Sequence, residues 1–162
     1  MKETLEVSFE SPQSGFMSLR LRAGGARLVL GAACAPYDSL RELIEALSAL
    51  LSDGDAPRAV ARWNCEPEEY DFELAAAGEG ASLTVTRHPR HARRPEEARQ
   101  VFAHAAPRLA LVLPFWRELR ELRRRGAEDV FEQNWRRRFP ESELRELTRL
   151  VRARKRQERR TR

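Results

Sequence analysis

The spacing of apolar residues changes once along this chain, close to Pro107. Before that proline, short segments alternate apolar and polar side chains with a period of two, which is typical of strands with one buried face. After it, apolar residues recur every three or four positions, which is typical of amphipathic helices. The alternation predicts strands over residues 5–9, 17–22, 27–30, 58–64, 70–74, 82–86 and 100–105.

One helix is predicted between the third and fourth strands. Residues 39–51 carry a leucine stripe at helical spacing, and Asp53 and Gly54 follow as a stop signal. Ser39 and Glu42 have the spacing of a capping box, in which the serine caps the first turn and the glutamate reaches back to it.

The C-terminal third of the chain is predicted to be helical. One helix begins or kinks near Pro114 and ends at Gly126, because a proline inside a helix removes a backbone hydrogen bond. A short helix follows over residues 127–135, with Val130, Phe131 and Trp135 as its apolar anchors. A last helix begins at Pro140.

These elements predict an α+β fold: an antiparallel sheet of six or seven strands, with helices on one face and a helical, basic C-terminal extension. The 162 residues, 41% of them hydrophobic, suffice for one core without disulfides. We predict a sheet domain over residues 1–125, a helical extension over 126–151 and a basic, flexible tail over 152–162. The tail has no apolar side chain larger than alanine to hold it on a core.

Charge is distributed unevenly along the chain. Residues 1–85 carry 7 basic and 14 acidic side chains, whereas residues 86–162 carry 23 basic and 11 acidic ones. The overall net charge of +5 therefore combines an acidic half with a basic half. Such asymmetry is typical of proteins that bind nucleic acid or an acidic partner. Over residues 86–150 it is equally consistent with basic helices that neutralise the acidic sheet.

The acidic candidate site is a hairpin edge. Its carboxylates are Glu66, Glu68, Glu69, Asp71 and Glu73. Neighbouring carboxylates can perform acid–base chemistry or hold a hard cation. The chain lacks a calcium-loop motif, however, and exposed strand faces are commonly charged. We therefore interpret this edge as a solvated or partner-binding surface.

The basic candidate site comprises two arginine triplets and the tail. Its residues are Arg123, Arg124, Arg125, Arg136, Arg137, Arg138, Arg152, Arg154, Lys155, Arg156, Arg159 and Arg160. The triplets form a basic ridge if both face outward, and Trp135 and Phe139 beside the second triplet either stack on bases or belong to the core. The tail either contacts phosphates without sequence preference or is a solvated chain end.

No catalytic, cofactor or metal site is predicted. His88 and His91 flank Pro89 without the spacing of a zinc motif, and no phosphate-binding glycine loop or nucleophile elbow is present. Cys34 and Cys65 are expected to be free thiols in a reducing compartment. The N-terminal residues lack the apolar core of a secretion signal, and no apolar run is long enough to cross a membrane. We therefore expect a cytoplasmic protein that does not enter the membrane.

Four segments carry a resemblance. They are Ser14-Gly15-Phe16 before an alternating strand, Tyr37-Asp38-Ser39-Leu40 at a helix start, the run from Trp63 to Tyr70, and the strand that leads into Pro107. Over about residues 5–125 the chain resembles a group of small α+β proteins from bacteria with high-GC genomes. Some of these are similar to immunity or antitoxin-like proteins, which act by binding a partner. The resemblance implies no catalytic residue, and residues 127–162 depart from its pattern.

The sequence thus predicts a non-enzymatic protein-binding module, immunity- or adaptor-like. It would act through the acidic hairpin edge, the arginine-rich helical extension or both, on another protein, for which a protein encoded nearby is the candidate. The alternative is a nucleic-acid-associated protein that contacts phosphates through its basic half.

Overall fold

Seven strands form one antiparallel sheet in sequential order, β1 to β7, in the computed structural model, which describes residues 3–54 and 57–162. The strands are β1 (Leu5–Phe9), β2 (Phe16–Ala23), β3 (Ala26–Ala33), β4 (Arg58–Asn64), β5 (Glu69–Ala77), β6 (Gly80–His88) and β7 (Arg99–Pro107). All seven predicted strands are present. Residues 1, 2, 55 and 56 of the predicted sheet domain lie outside the described residues.

Four helices complete the fold: α1 (Ser39–Leu51), α2 (Arg108–Gly126), α3 (Phe131–Trp135) and α4 (Glu141–Arg160). Most of the strands bury alternate side chains, whereas β7 buries Phe102 alone, and the buried side chains meet the leucine stripes of α1, α2 and α4 in one hydrophobic core. Apolar residues of α3 and α4, such as Trp135, Leu147 and Val151, belong to that same core. The predicted α+β class, with its antiparallel sheet and C-terminal helix, is confirmed.

The sheet has a weak seam between β3 and β4, where Ala33 and Asn64 are the only aligned pair among the described residues. Helix α1 supplies side-chain partners to the backbone of β4 near this seam. Ser39 donates its hydroxyl to the carbonyl of Arg62, and the backbone N–H of Arg62 donates to Glu42 at 3.3 Å. The predicted capping box is therefore wrong: Asp38 is the N-cap residue, and both box side chains satisfy polar groups of a strand that would otherwise lack partners.

Helix α2 begins at Arg108 and includes Pro114 in its interior, so of the two predicted alternatives it does not begin at that proline. The helix does end at Gly126, as predicted. Val130 is not an anchor of α3: it is about half exposed and has a positive φ of 52°. Phe131 and Trp135 are the buried anchors of this short helix, as expected.

Helix α4 continues without a break to Arg160, so residues 152–160 of the predicted tail are part of the last helix. The guanidinium of Arg154 donates to the carbonyl of Leu51 at 3.3 Å, and that of Arg108 donates to Leu50 at 3.1 Å. These two carbonyls lie at the C-terminal end of α1, where backbone acceptors lack helical partners and a positive charge is favourable. The aliphatic stems of long basic side chains can also cover apolar surface. A prediction based on apolar residues alone does not include this contribution.

No helix in the described part of the chain is both long and apolar enough to cross a membrane.

Candidate functional site: an arginine-lined groove

The acidic hairpin does not lie at an edge of the sheet. Glu69, Asp71 and Glu73 belong to β5, which is flanked by β4 and β6, and Glu66 and Glu68 lie in the turn before it. The predicted acidic edge is therefore an acidic face of an interior strand. The loop between β6 and β7 supplies cations to this face.

Glu69 is the most buried of these carboxylates, with a side chain that is 3% exposed. Tyr37 donates its hydroxyl to Glu69 at 2.7 Å, Arg93 donates at 2.8 Å, and the Nδ1 atom of His91 lies against the same carboxylate. Burial by itself would raise the pKa of Glu69, but the hydrogen bonds from His91, Tyr37 and Arg93 outweigh burial and hold that pKa below its usual value. Glu69 is thus an internal ion-pair partner.

Arg93 joins two strand carboxylates. Its guanidinium donates to both oxygens of Asp71, at 2.7 and 2.8 Å, while it also donates to Glu69. The Nε2 atom of His88 lies 3.2 Å from Asp71. Because a bidentate pair is directional, Arg93 holds the loop between β6 and β7 against the face of β5.

The remaining acidic candidates also have partners within the chain. Glu68 accepts hydrogen bonds from Arg87 at 2.8 Å and from Tyr70 at 2.7 Å, which lower the pKa of Glu68 to about 2. Burial and the bond to Glu68 raise the pKa of Tyr70 to about 12. Glu73 pairs with Arg58 at 2.6 Å, and Glu66 accepts from Asn64 at 3.3 Å. All five carboxylates therefore have partners within the chain, and Arg87 and Arg93 form ion pairs with three of them.

The two arginine triplets do not form one outward ridge. Arg125 donates to the carbonyl of Phe9 at 2.9 Å, and Arg137 donates to the carbonyls of Cys34 and Pro36. Arg136 lies against Gly15, while Arg138 is exposed. Arg123, Arg124 and Arg125 are successive residues of α2 and therefore point in different directions. Arg136, Arg137 and Arg138 lie in the connection between α3 and α4, where Arg136 has a positive φ of 65°.

A groove between α2 and α4 brings together the other basic candidates. The two helices run antiparallel, because Arg123 of α2 pairs with Glu141 at the start of α4 at 2.6 Å, whereas Trp116 lies beside Thr148 further along α4. One part of the groove, of about 850 Å³, adjoins α3, and a second part, of about 480 Å³, runs along α4. Arg120, Arg123 and Glu141 line both parts, so the two are continuous.

Eight arginines line this groove: Arg117, Arg120, Arg123 and Arg124 from α2, and Arg145, Arg149, Arg152 and Arg156 from α4. The predicted basic set includes four of them and misses Arg117, Arg120, Arg145 and Arg149. Their signal in the sequence is helical spacing: Arg145, Arg149, Arg152 and Arg156 follow one another at intervals of four, three and four residues. Arg159 and Arg160 are exposed at the end of α4.

Trp116 lies between the two helices. Its indole Nε1 donates to the hydroxyl of Thr148 at 3.0 Å. Arg120 lies 4.6 Å and Lys155 lies 4.9 Å from the centre of its ring, on which cations are attracted to the aromatic face. These contacts order two basic side chains beside the groove.

The groove combines guanidinium donors with a few glutamates and apolar side chains, a combination suited to binding an anionic partner. Within residues 3–54 and 57–162, no cluster of three or more histidine, cysteine or acidic side chains is arranged to hold a metal ion. No family model, curated protein or solved structure matches this chain.

Proposed function

We propose that the protein is a non-enzymatic binding module, immunity- or adaptor-like, whose groove between α2 and α4 docks an acidic partner protein. One observation carries the proposal. Among the described residues, no carboxylate lies within ion-pair distance of five arginines of the groove: Arg117, Arg120, Arg145, Arg152 and Arg156. Positive charge that a chain leaves uncompensated in one concave surface attracts a negatively charged partner.

The acidic hairpin contributes less to this proposal than the helices do. Its carboxylates already accept hydrogen bonds from Arg58, Arg87 and Arg93. A partner would have to displace those donors, at the cost of leaving buried charges unpaired. Arginines without a carboxylate partner carry no such cost.

An acidic protein fits the groove better than a phosphate backbone. Glu121, Glu132 and Glu141 lie among the arginines and would repel a continuous row of phosphates. Phe131, Phe139 and Leu144 form apolar parts of the groove wall, although each is less than a tenth exposed, and a partner with apolar side chains of its own would contact these parts. A cytoplasmic location is part of the proposal, since Cys34 and Cys65 are both free thiols.

A charge-reversal experiment tests the proposed function. The probes are a 20-residue, glutamate-rich helical peptide and a 20-base-pair DNA duplex, titrated at the same ionic strength. We expect the peptide to bind, and the combined change Arg117→Glu, Arg120→Glu and Arg152→Glu to weaken its affinity at least tenfold, because the attraction becomes repulsion.

The matched control alters the same number of charges elsewhere. Arg22→Glu, Arg27→Glu and Arg94→Glu change exposed arginines outside the groove and should leave the affinity within about twofold. Equal loss in both triple variants would contradict the proposal. Tighter binding of the duplex than of the peptide would favour the nucleic-acid alternative instead.

A further inference from the structure

The groove is not uniform along its length. We define its wide end as the part beside α3, lined by Gly126, Ala127, Phe131 and Phe139 together with arginines of α2, and its basic end as the part along α4 from Leu144 to Arg156. The wide end is lined by four arginines and three glutamates, whereas the basic end is lined by six arginines and one glutamate. Positive charge therefore rises from the wide end to the basic end.

We infer that the occupant of the groove is a single amphipathic α-helix of the partner, seated with a bulky apolar side chain at the wide end and a row of carboxylates along the basic end. This inference rests on the proposed function and deepens it. It names the conformation of the recognised segment and its orientation.

The spacing of arginines on α4 favours a helical occupant. Residues 145 to 156 span eleven steps, which is about 16 Å at the rise of an α-helix. Successive arginines of this row lie three or four residues apart, or about 4.5–6 Å along the axis. On a partner helix, carboxylates at the same spacing can each face one arginine. Side chains on one face of a strand recur at about 7 Å, so their spacing does not match that of the arginines. Two antiparallel helices also offer the kind of groove into which a third helix packs.

The wide end suits an apolar anchor. Phe131 and Phe139 pack edge to face there, with ring centres 5.2 Å apart, and both are largely buried, so the space beside them is bounded by the exposed Ala127 and the partly exposed Gly126. A Cβ atom on Gly126 would lie 3.1 Å from the Cβ of Phe131, so glycine allows the end of α2 to approach α3 this closely. Glu141 pairs with Arg123 and Glu121 pairs with Arg124, which compensates much of the charge at this end. Amphipathic helices are commonly held in such grooves by one or a few apolar anchors.

The test uses two peptides that differ at one position. Both are 16-residue helical peptides with glutamates at intervals of three and four residues; the first has leucine near one end, and the second has serine there. We expect the leucine peptide to bind the wild-type protein about tenfold more tightly. Equal affinities would overturn the inference and leave the proposed function standing, whereas no binding of either peptide would contradict both.

Ala127→Trp provides the matched variant. Ala127 is exposed, lines the wide end and has ordinary helical angles (φ −67°, ψ −40°), so a larger side chain can occupy the space without a change in the core. We expect the variant to reduce the affinity of the leucine peptide to that of the serine peptide and to leave the serine peptide within twofold. An equal loss for both peptides would contradict an anchor at this end.

A nitroxide attached to the glutamate-rich end of the leucine peptide tests the orientation. It should broaden the amide signal of Arg156 more than that of Ala127, because the carboxylates lie along the basic end. The opposite order would overturn the orientation.

Discussion

Glu68 accepts hydrogen bonds from Arg87 and Tyr70, and this makes its charge part of the stability of the fold. The two donors lower the pKa of Glu68 to about 2. An unfolded glutamate titrates near 4.3. Because the folded state holds the proton less tightly than the unfolded state, the ionised carboxylate stabilises the fold above pH 4.3, and this stabilisation is lost as the pH falls toward 2.

Glu68→Gln should therefore lower the free energy of unfolding at pH 7, by about 1 kcal/mol because the pair is partly screened by solvent. The difference from the wild type should shrink between pH 4.5 and pH 2 and disappear at the acidic limit. Urea denaturation at a series of pH values measures it. Glu96→Gln, at an exposed loop residue, is the control and should match the wild type throughout. A difference between Glu68→Gln and the wild type that stays constant with pH would contradict the role assigned to the carboxylate.

The partners of these carboxylates could not be predicted from the sequence. Arg87 and Arg93 lie 19 and 24 residues from the glutamates that they bind, so no short motif links them. Helical spacing, by contrast, would have been sufficient to identify Arg117, Arg120, Arg145 and Arg149, which the prediction missed, as parts of one surface. The prediction was based on consecutive arginine triplets and therefore included Arg125 and Arg137. These two arginines donate hydrogen bonds to the backbone carbonyls of Phe9 and Pro36.

At the scale of elements, α4 differs most from its prediction. The seven strands and the starts of α1 and α4 could be predicted, because period-two and period-3.6 patterns report burial directly. The end of α4 could not, since its contacts beyond Val151 include basic side chains: Arg154 donates to the carbonyl of Leu51, and Lys155 lies over the ring of Trp116. The roles of Ser39 and Glu42 could not be predicted either, because both side chains form hydrogen bonds with the backbone of Arg62 in β4, a strand that is distant in sequence.

Two truncations distinguish the packed part of α4 from its exposed end. Removal of residues 157–162 should leave the free energy of unfolding nearly unchanged, because these residues are exposed. Removal of residues 152–162 should lower it by about 1–2 kcal/mol, through loss of the Arg154 hydrogen bond and the Lys155 contact with Trp116. Urea denaturation of both proteins measures the difference. Equal stability of the two truncated proteins would mean that the contacts of residues 152–156 with α1 and α2 do not stabilise the fold.

At the scale of the whole molecule, the net charge of +5 results from two different arrangements. Acidic side chains of β5 and of the turn before it pair locally with Arg58, Arg87 and Arg93. Arginines on α2 and α4 converge on one groove, and five of them lack an acidic partner among the described residues. The sequence left open whether the basic helices neutralise the acidic sheet or bind a partner. The cations paired with the acidic face come from β4, β6 and the loop between β6 and β7 rather than from the helices, and a partner surface is what we propose for the groove.

The three tryptophans permit a direct test of this separation. Trp116 lies beside the groove and donates to Thr148, whereas Trp63 is buried beneath the acidic hairpin and Trp135 is buried in α3. Each indole N–H gives one signal in a nitrogen–proton correlation spectrum. On titration with the glutamate-rich helical peptide, we predict a progressive shift of the Trp116 signal while the Trp63 signal stays in place. A shift of Trp63 with Trp116 unchanged would contradict the central claim that the groove between α2 and α4 is the binding surface.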